Sequence, residues 1–361
     1  MLKNKLQITI ITFNRESYLS RTLATFTEEK SPVRNFDILV LDNNSTDNTA
    51  AVVKEYAKKY PNISYIKNNY NVGANANIVK AFEYNTKEYL WVVADDDVYD
   101  WSYWSELERA IENHEKAIVI SRMDLPDKNN IGKIFHQCAF VSACIFHKSL
   151  IDDTVMRNMY DNVYSMFPHL IPLVQYVNNE GSICVLDHQI IKHGIYENKQ
   201  AQDIFKEDIF ARGAVLQKLW RKSRTMQFPT GFAIALSNLK DEKLKQDAVR
   251  LQMKTQNWPQ GIKSQRKVLE ELILFYNNKE DLTQLLDIYL ALDKDHARIM
   301  AKYIISKFSI REILSALAVK TNPAKYKIKY FIYKFMLPFT FGKLHEKVLQ
   351  KYQKYNQRIH K

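Results

Sequence analysis

Five short apolar runs punctuate the first third of the chain: "ITIITF" (8–13), "FDILVLD" (36–42), "ISYIK" (63–67), "YLWVVA" (89–94) and "KAIVIS" (116–121). Helical spacing fills the gaps near 17–29, 47–59, 74–85 and 102–114. A strand that is apolar along its whole length must be covered on both faces, and strands alternating with helices are the pattern of a parallel sheet between helical layers. The spacing therefore predicts an α/β fold with a mostly parallel sheet. Ser45 or Asp47 and then Ser102 stand where helix caps are expected. Residues 131–151 read as one or two strands and a turn, 167–178 as a helix with Pro168 in its first turn, and 182–187 as a further strand. After about residue 200 strand signals stop, and segments such as 280–308 have helical spacing. We expect a boundary there, with domains 1–200 and 201–361.

A chain of 361 residues, nearly half of them hydrophobic, can bury one large core or two ordinary ones. Its three cysteines, Cys138, Cys144 and Cys184, form no CxxC pair, which fits a reduced, cytoplasmic setting. The opening "MLKNKLQITIITF" lacks the small-residue cleavage site of a signal peptide, and no run reaches the length of a membrane-spanning helix. Charge is unevenly placed. Of 52 basic and 40 acidic residues, 14 and 2 fall in 301–361, which leaves 38 against 38 in the first 300. The whole excess of +12 is a basic tail on a neutral body.

In an open parallel sheet, ligands bind beyond the carboxyl ends of the strands, at a switch in strand order. Three strands here end in polar residues. The first ends in Thr12-Phe13-Asn14-Arg15, the second in "DNNSTD" from Asp42 to Asp47, and the fourth in Asp95-Asp96-Asp97. Asp42 could accept hydrogen bonds from a base or ribose, and Phe13 or Arg15 could cover a base. Each of these stretches also serves as a solvated turn or a helix cap. The triplet asks for more. Two like charges about 4 Å apart repel by roughly 1 kcal/mol in water and several times that at a protein surface. A divalent cation reverses the sign, and Mg²⁺ typically takes one or two carboxylates together with substrate phosphates. In "NNYNVGANANIVKAF" (68–82), Asn71, Gly73 and Asn77 stand at a helix entrance, where backbone N–H groups favour phosphate. Neither a GxGxxG nor a GxxxxGK[ST] pattern is present, which disfavours the usual dinucleotide and P-loop readings.

Taken in order, "ITIITFNRESYLSRTL", "DILVLDNNSTDNT", "NNYNVGANANI" and "YLWVVADDDVYD" resemble the family 2 glycosyltransferases of the GT-A fold. The resemblance covers residues 6–150 and reaches more loosely to about 200. It implies a Rossmann-like domain followed by a helical C-terminal region, and a triplet acting as the DXD motif that holds Mg²⁺ or Mn²⁺ against the diphosphate of a nucleotide sugar. Asp42 then matches the acidic residue that contacts the base, and Asn71–Asn77 the lining of the nucleotide pocket. Family members usually read Asp-x-Asp-Asp, whereas Ala94 precedes the triplet here. The register is open, with Asp95 assigned to the ribose and Asp96 or Asp97 to the metal. The resemblance also makes His193, in "IKHG", a candidate metal ligand, with His188 competing. Inverting transfer needs a base opposite the leaving diphosphate. The stretch "YDNVYSMFPHLIPL", where family members carry a carboxylate, offers His169 first and Asp161 next. Ser142, Ala143 and Cys144 are expected on the acceptor side, with Cys144 in the core.

The tail, "KYKIKYFIYKFMLPFTFGKLHEKVLQKYQKYNQRIHK" (325–361), interleaves lysine with aromatic side chains, as an amphipathic anchor on an anionic membrane does. The expected enzyme is an inverting, metal-dependent transferase. It would pass a sugar from a nucleotide donor, UDP-linked first, to a saccharide acceptor, lipid-linked or free. The setting would be bacterial surface glycan synthesis (lipooligosaccharide, capsule or related) at the inner face of the cytoplasmic membrane. The alternatives are a sugar-nucleotide nucleotidyltransferase, which the glycine-free "TFNRESY" disfavours, and a non-catalytic membrane or nucleic-acid adaptor. No nucleic-acid motif supports the last, and a homo-oligomer through the helical region stays open.

Overall fold

The computed structural model describes residues 2–120, 127–192, 231–232 and 234–255. Seven strands form one sheet in the order β3-β2-β1-β4-β7-β6-β8. The parallel half comprises β1 (Leu6–Thr12), β2 (Asp37–Asp42), β3 (Ile63–Lys67) and β4 (Tyr89–Ala94). Here β1 runs parallel to both β2 and β4, and β2 parallel to β3. The connecting helices are α1 (Glu16–Thr27), α2 (Thr49–Lys59) and α3 (Ala74–Glu83), and α4 (Trp104–Glu112) follows β4. Every predicted element of this half is present within a few residues of its expected ends.

The apolar runs have the expected cause. Ile8, Ile10, Ile38, Val40, Trp91 and Val93 join Leu19, Leu23 and Phe26 of α1 and Leu107 and Ile111 of α4 in one cluster. Their neighbours Thr9, Leu39, Leu90 and Val92 are buried as well, so both sheet faces are covered. The sequence order reverses between β1 and β4. That is the switch point, and Thr12 and the Asp triplet lie at its carboxyl end.

The second half departs from the expectation at 131–151. Residues Ile131–Cys138 are a helix, α5, and only Cys144–His147 form a strand, β7. Ile134, Phe135 and Cys138 are buried at helical spacing, and the Asn130 side chain caps the helix by accepting from the Lys133 amide. Strand β7 runs antiparallel to both β4 and β6 (Ala117–Val119), and β6 is parallel to β8 (Cys184–Val185). The expected helix at 167–178 is a 3-10 turn, Pro168–Leu170, leading into α7 (Ile171–Asn178), preceded by α6 (Asp153–Asp161). A separate ribbon pairs β5 (Val98–Tyr99) with β9 (Ile191–Lys192), antiparallel. Two expected caps are corrected. The residue before α2 is Asn48, with Asp47 instead accepting from the Thr49 amide. Ser102 caps nothing, because its own amide donates to Asp100.

Residues 234–252 fall in the same compact unit as the α/β layer. Helix α8 (Glu242–Thr255) crosses α5 where Gly132 leaves room: a Cβ there would stand 3.2 Å from the Ala248 nitrogen and 3.3 Å from Asp247 Cβ. His136 meets Gln252 at 2.5 Å across the same crossing. The expected boundary near 200, the helical stretch 280–308 and the basic tail 301–361 lie outside the described residues. Among the described residues, no helix is long and apolar enough to cross a membrane.

Candidate active site

At the end of β4 the chain presents three carboxylates, each with a different partner. Asp95 is 1% exposed, with Oδ2 accepting from Thr12 Oγ1 at 2.6 Å and Oδ1 3.2 Å from an Arg15 guanidinium nitrogen. Asp96 takes the other arm of Arg15 at 2.5 Å. Asp97, 7% exposed, accepts from Ser142 Oγ at 2.6 Å through Oδ2. Its Oδ1 is buried and has no hydrogen-bond partner among the described residues. Arg15, which could have covered a base, instead bridges the first two carboxylates and lies over the Tyr18 ring. Phe13 is half-buried at the end of β1.

The floor beneath the triplet is aromatic. Tyr99 stacks on Trp101 and meets Phe26 and Trp91 edge-on. Burial pushes the Asp95 carboxyl up to about 7, against the pull of Arg15 and Thr12 and with the neighbouring Asp96 charge adding to the rise. Asp97 is driven well above the usual carboxylate range, by burial first and by the charges of Asp96 and Asp95, with Ser142 opposing. Burial and mutual repulsion thus raise the proton affinity of both carboxyls, a cost that a bound cation would relieve.

The end of β2 is arranged differently. Asp42 is fully buried; Oδ1 accepts from the amide and hydroxyl of Ser45, and Oδ2 from the Tyr65 hydroxyl at 2.6 Å. These bonds fold "DNNSTD" into a loop that also receives Asn14. Asn14, in the left-handed region at φ 51°, accepts from the Thr46 amide while its own amide donates to Ser45 Oγ. The carboxylate expected to meet a base is therefore engaged from two sides, and Tyr65 is the partner that sequence reasoning missed. A tyrosine in the middle of an apolar strand carries no mark of that role.

Asn71, Gly73 and Asn77 also come together, mostly through one another's neighbours. Asn43 donates to Asn71, and Asn68 donates to both Asn43 and Asn77. Asn77 donates to the Leu41 carbonyl, so it anchors the loop from inside. Gly73, at φ 84°, makes the left-handed turn that opens α3.

The remaining candidates separate. His169 is 1% exposed; Nε2 donates to the Cys138 carbonyl at 2.8 Å, and burial lowers its pKa to about 4. With its proton committed to a backbone carbonyl, the neutral ring keeps Nδ1 as acceptor, buried and without a hydrogen-bond partner among the described residues. Asp161, at the end of α6, is exposed. His188 bonds Glu106 through Nδ1 and stacks on Tyr103, 3.9 Å between ring centroids. His193 lies outside the described residues, although the β5–β9 pairing brings the chain back to Lys192, opposite Val98 and one residue past the triplet. Ala143 and Cys144 are buried, and Ser142 faces Asp97.

Residues 7–168 match the family model described as Glycosyl transferase family 2. The matched stretch holds the parallel half of the sheet and the Asp triplet. Among curated relatives, a GalNAc(5)-diNAcBac-PP-undecaprenol beta-1,3-glucosyltransferase of Campylobacter jejuni is 31% identical over 94 residues, which is 26% of this chain and 30% of that protein. A poly(ribitol-phosphate) beta-glucosyltransferase of Bacillus spizizenii is 30% identical over 94 residues, 26% of this chain and 15% of its own length. The matches thus span less than a third of these relatives. Among solved structures, residues 1–349 of S. aureus TarS superpose with a TM-score of 0.50 at 13% identity, covering 97% of this chain and 91% of that one. The same protein is known in complex with UDP-GlcNAc. At that identity the likeness is one of fold, and the fold is of the GT-A type.

The family 2 match raises the question of a metal ion, which the donor set can address. Three adjacent carboxylates offer only oxygen, the preference of hard divalent cations. The unpartnered Asp97 Oδ1 is the orphaned acceptor such an ion would satisfy. Among the described residues no group of three or more His, Cys, Asp or Glu side chains is arranged to hold an ion. The fit is thus to an ion that takes one or two protein oxygens and completes its shell with a ligand's phosphates.

Proposed function

We propose that the chain is an inverting, metal-dependent glycosyltransferase. It would move a sugar from a nucleotide-sugar donor, UDP-linked first, to a saccharide acceptor of a bacterial surface glycan. The observation that carries this reading is the convergence of Thr12, Arg15 and the Asp triplet at the β1–β4 switch point of a family 2 domain. Mn²⁺ or Mg²⁺ held there would neutralise the diphosphate as it leaves. Asp97 is the first candidate to bind it, and Asp96 and His193 are the next candidates. Thr12 and Arg15 hold Asp95 toward the ribose. Arg15 is free to exchange its bridge to Asp96 for a donor phosphate, since its charge suits both. Asp42, once Tyr65 yields its bond, can accept from the base, and the asparagine-braced loop 71–77 shapes the pocket wall. The aromatic floor excludes water and strengthens each of these charge interactions. Asp161 is the candidate base with solvent access, and Asp161→Asn tests it.

The activities named for the Campylobacter and Bacillus relatives, on an undecaprenol-linked glycan and on poly(ribitol phosphate), support a cell-surface acceptor. The basic tail 301–361 would hold the enzyme on the anionic inner face of the membrane. The deciding experiment is calorimetric titration of UDP with and without Mn²⁺ on wild type and Asp97→Ala. The reading expects UDP binding that needs both the ion and the carboxylate. UDP binding of equal strength in all four conditions would remove metal dependence from it.

A further inference from the structure

Ser142 is separated from the triplet by 45 residues and belongs to no sequence motif that marks the site. It lies in the 3-10 turn Val141–Ala143, directly before β7, and has no solvent exposure. Its hydroxyl is doubly engaged. The oxygen accepts from the Ala94 amide at 3.0 Å, and the hydroxyl donates to Asp97 Oδ2 at 2.6 Å. The turn itself is pinned from beneath, because Trp91 Nε1 donates to the Ser142 carbonyl at 2.7 Å. The serine thus joins the end of β4 to the last carboxylate of the triplet and has no rotational freedom of its own.

The three carboxylates are not equivalent in what they leave unused. Both Asp95 oxygens are engaged, by Thr12 and Arg15, and Asp96 Oδ2 is held by Arg15. Asp97 alone has one oxygen fixed by a neutral hydroxyl and the other buried without a partner among the described residues. A hydroxyl that bonds one oxygen of a carboxylate sets the rotation of the whole group, and outer partners of this kind are how proteins aim their ligands. We propose that Ser142 is a positioning residue for the metal-facing side of the triplet, holding Asp97 by Oδ2 so that Oδ1 is the oxygen offered to a divalent cation. This rests on the metal-dependent reading of the site given above.

The test is calorimetric titration of Mn²⁺ into the full chain in the presence of UDP, alongside thermal unfolding of the metal-free protein. Wild type, Ser142→Ala, Ser142→Thr and Trp91→Phe are compared. Ser142→Ala is expected to need about ten- to hundredfold more Mn²⁺, with UDP binding in the absence of metal unchanged. Ser142→Thr, which keeps the hydroxyl, is expected to recover most of the loss. Trp91→Phe, which releases the same turn without touching the hydroxyl, is expected to lower the melting temperature and leave the Mn²⁺ requirement alone. A Ser142→Ala protein with the wild-type Mn²⁺ requirement would overturn the assignment. So would an equal rise in Trp91→Phe, or a Ser142→Ala chain that does not fold, since either makes the serine a scaffold residue only. If wild type itself binds UDP without regard to Mn²⁺, the metal reading fails first, and that result is visible before any variant is compared.

Discussion

His169, first among the candidate bases in the sequence, is also tied into the core of the fold. Its ring is buried, Nε2 donates to Cys138, and the pKa is lowered from the ordinary 6.5 to about 4 by burial. The sign follows from proton binding. Between pH 4 and 6.5 the unfolded chain takes up a proton that the folded chain refuses, so stability falls as pH drops through that window. The stabilisation is intact above about pH 6.5 and lost as pH passes below about 4, an effect of about 3 kcal/mol at most. Urea unfolding of wild type and His169→Gln at pH 8, 6.5 and 5 measures it, and the acid limb should flatten in the variant. Asp95, whose pKa is raised to about 7, has the opposite slope and cancels in the difference. An unchanged acid limb would mean the ring is not where the protons go. The same contrast governs what the sequence revealed of the site. Asp42 and the triplet were legible because carboxylates at strand ends are unusual; Tyr65, and the bond by which Ser142 of the expected acceptor side holds Asp97, were not, because a tyrosine and a serine in apolar surroundings look ordinary.

The same limit appears among the elements. The parallel strands were legible because strands covered on both faces are apolar at every position, whatever covers them. Helix α5 was not, because "IFHQCAFVSACIF" is apolar almost throughout and its helical side is defined by α8, more than a hundred residues later. Gly132 marks that crossing. A helix interior ordinarily gains from replacing glycine, but here the added atoms meet backbone of α8. Gly132→Val should therefore lower stability by about 2 kcal/mol, as overpacking does, while Mn²⁺-dependent UDP binding keeps its wild-type affinity. Thermal melting read by circular dichroism, with calorimetry on the same sample, checks both halves. A variant as stable as wild type would show that the two helices can part without cost.

For the whole chain, the placement of charge makes a prediction the domain does not. The first 300 residues balance at 38 basic and 38 acidic side chains, and the last 61 carry the excess. If the tail binds the membrane surface, the full chain should sediment with vesicles containing phosphatidylglycerol and not with pure phosphatidylcholine. Binding should weaken steeply with salt, since each basic residue near the surface contributes about 1 kcal/mol of screened attraction. Equal sedimentation with both lipids would assign the attraction to the aromatic residues alone. The path of the chain through the sheet has a consequence of a different kind, in time. Strand β7 enters between β4 and β6 in the direction opposite to β4, and only that reversal returns Ser142 to Asp97, 45 residues after Asp97 has been made. A chain growing on the ribosome thus completes its three aspartates well before the hydroxyl that holds the last of them exists. The first four strands can pair before Ser142 is made, so the last carboxylate of the triplet takes its final orientation only once β7 has been threaded into the sheet.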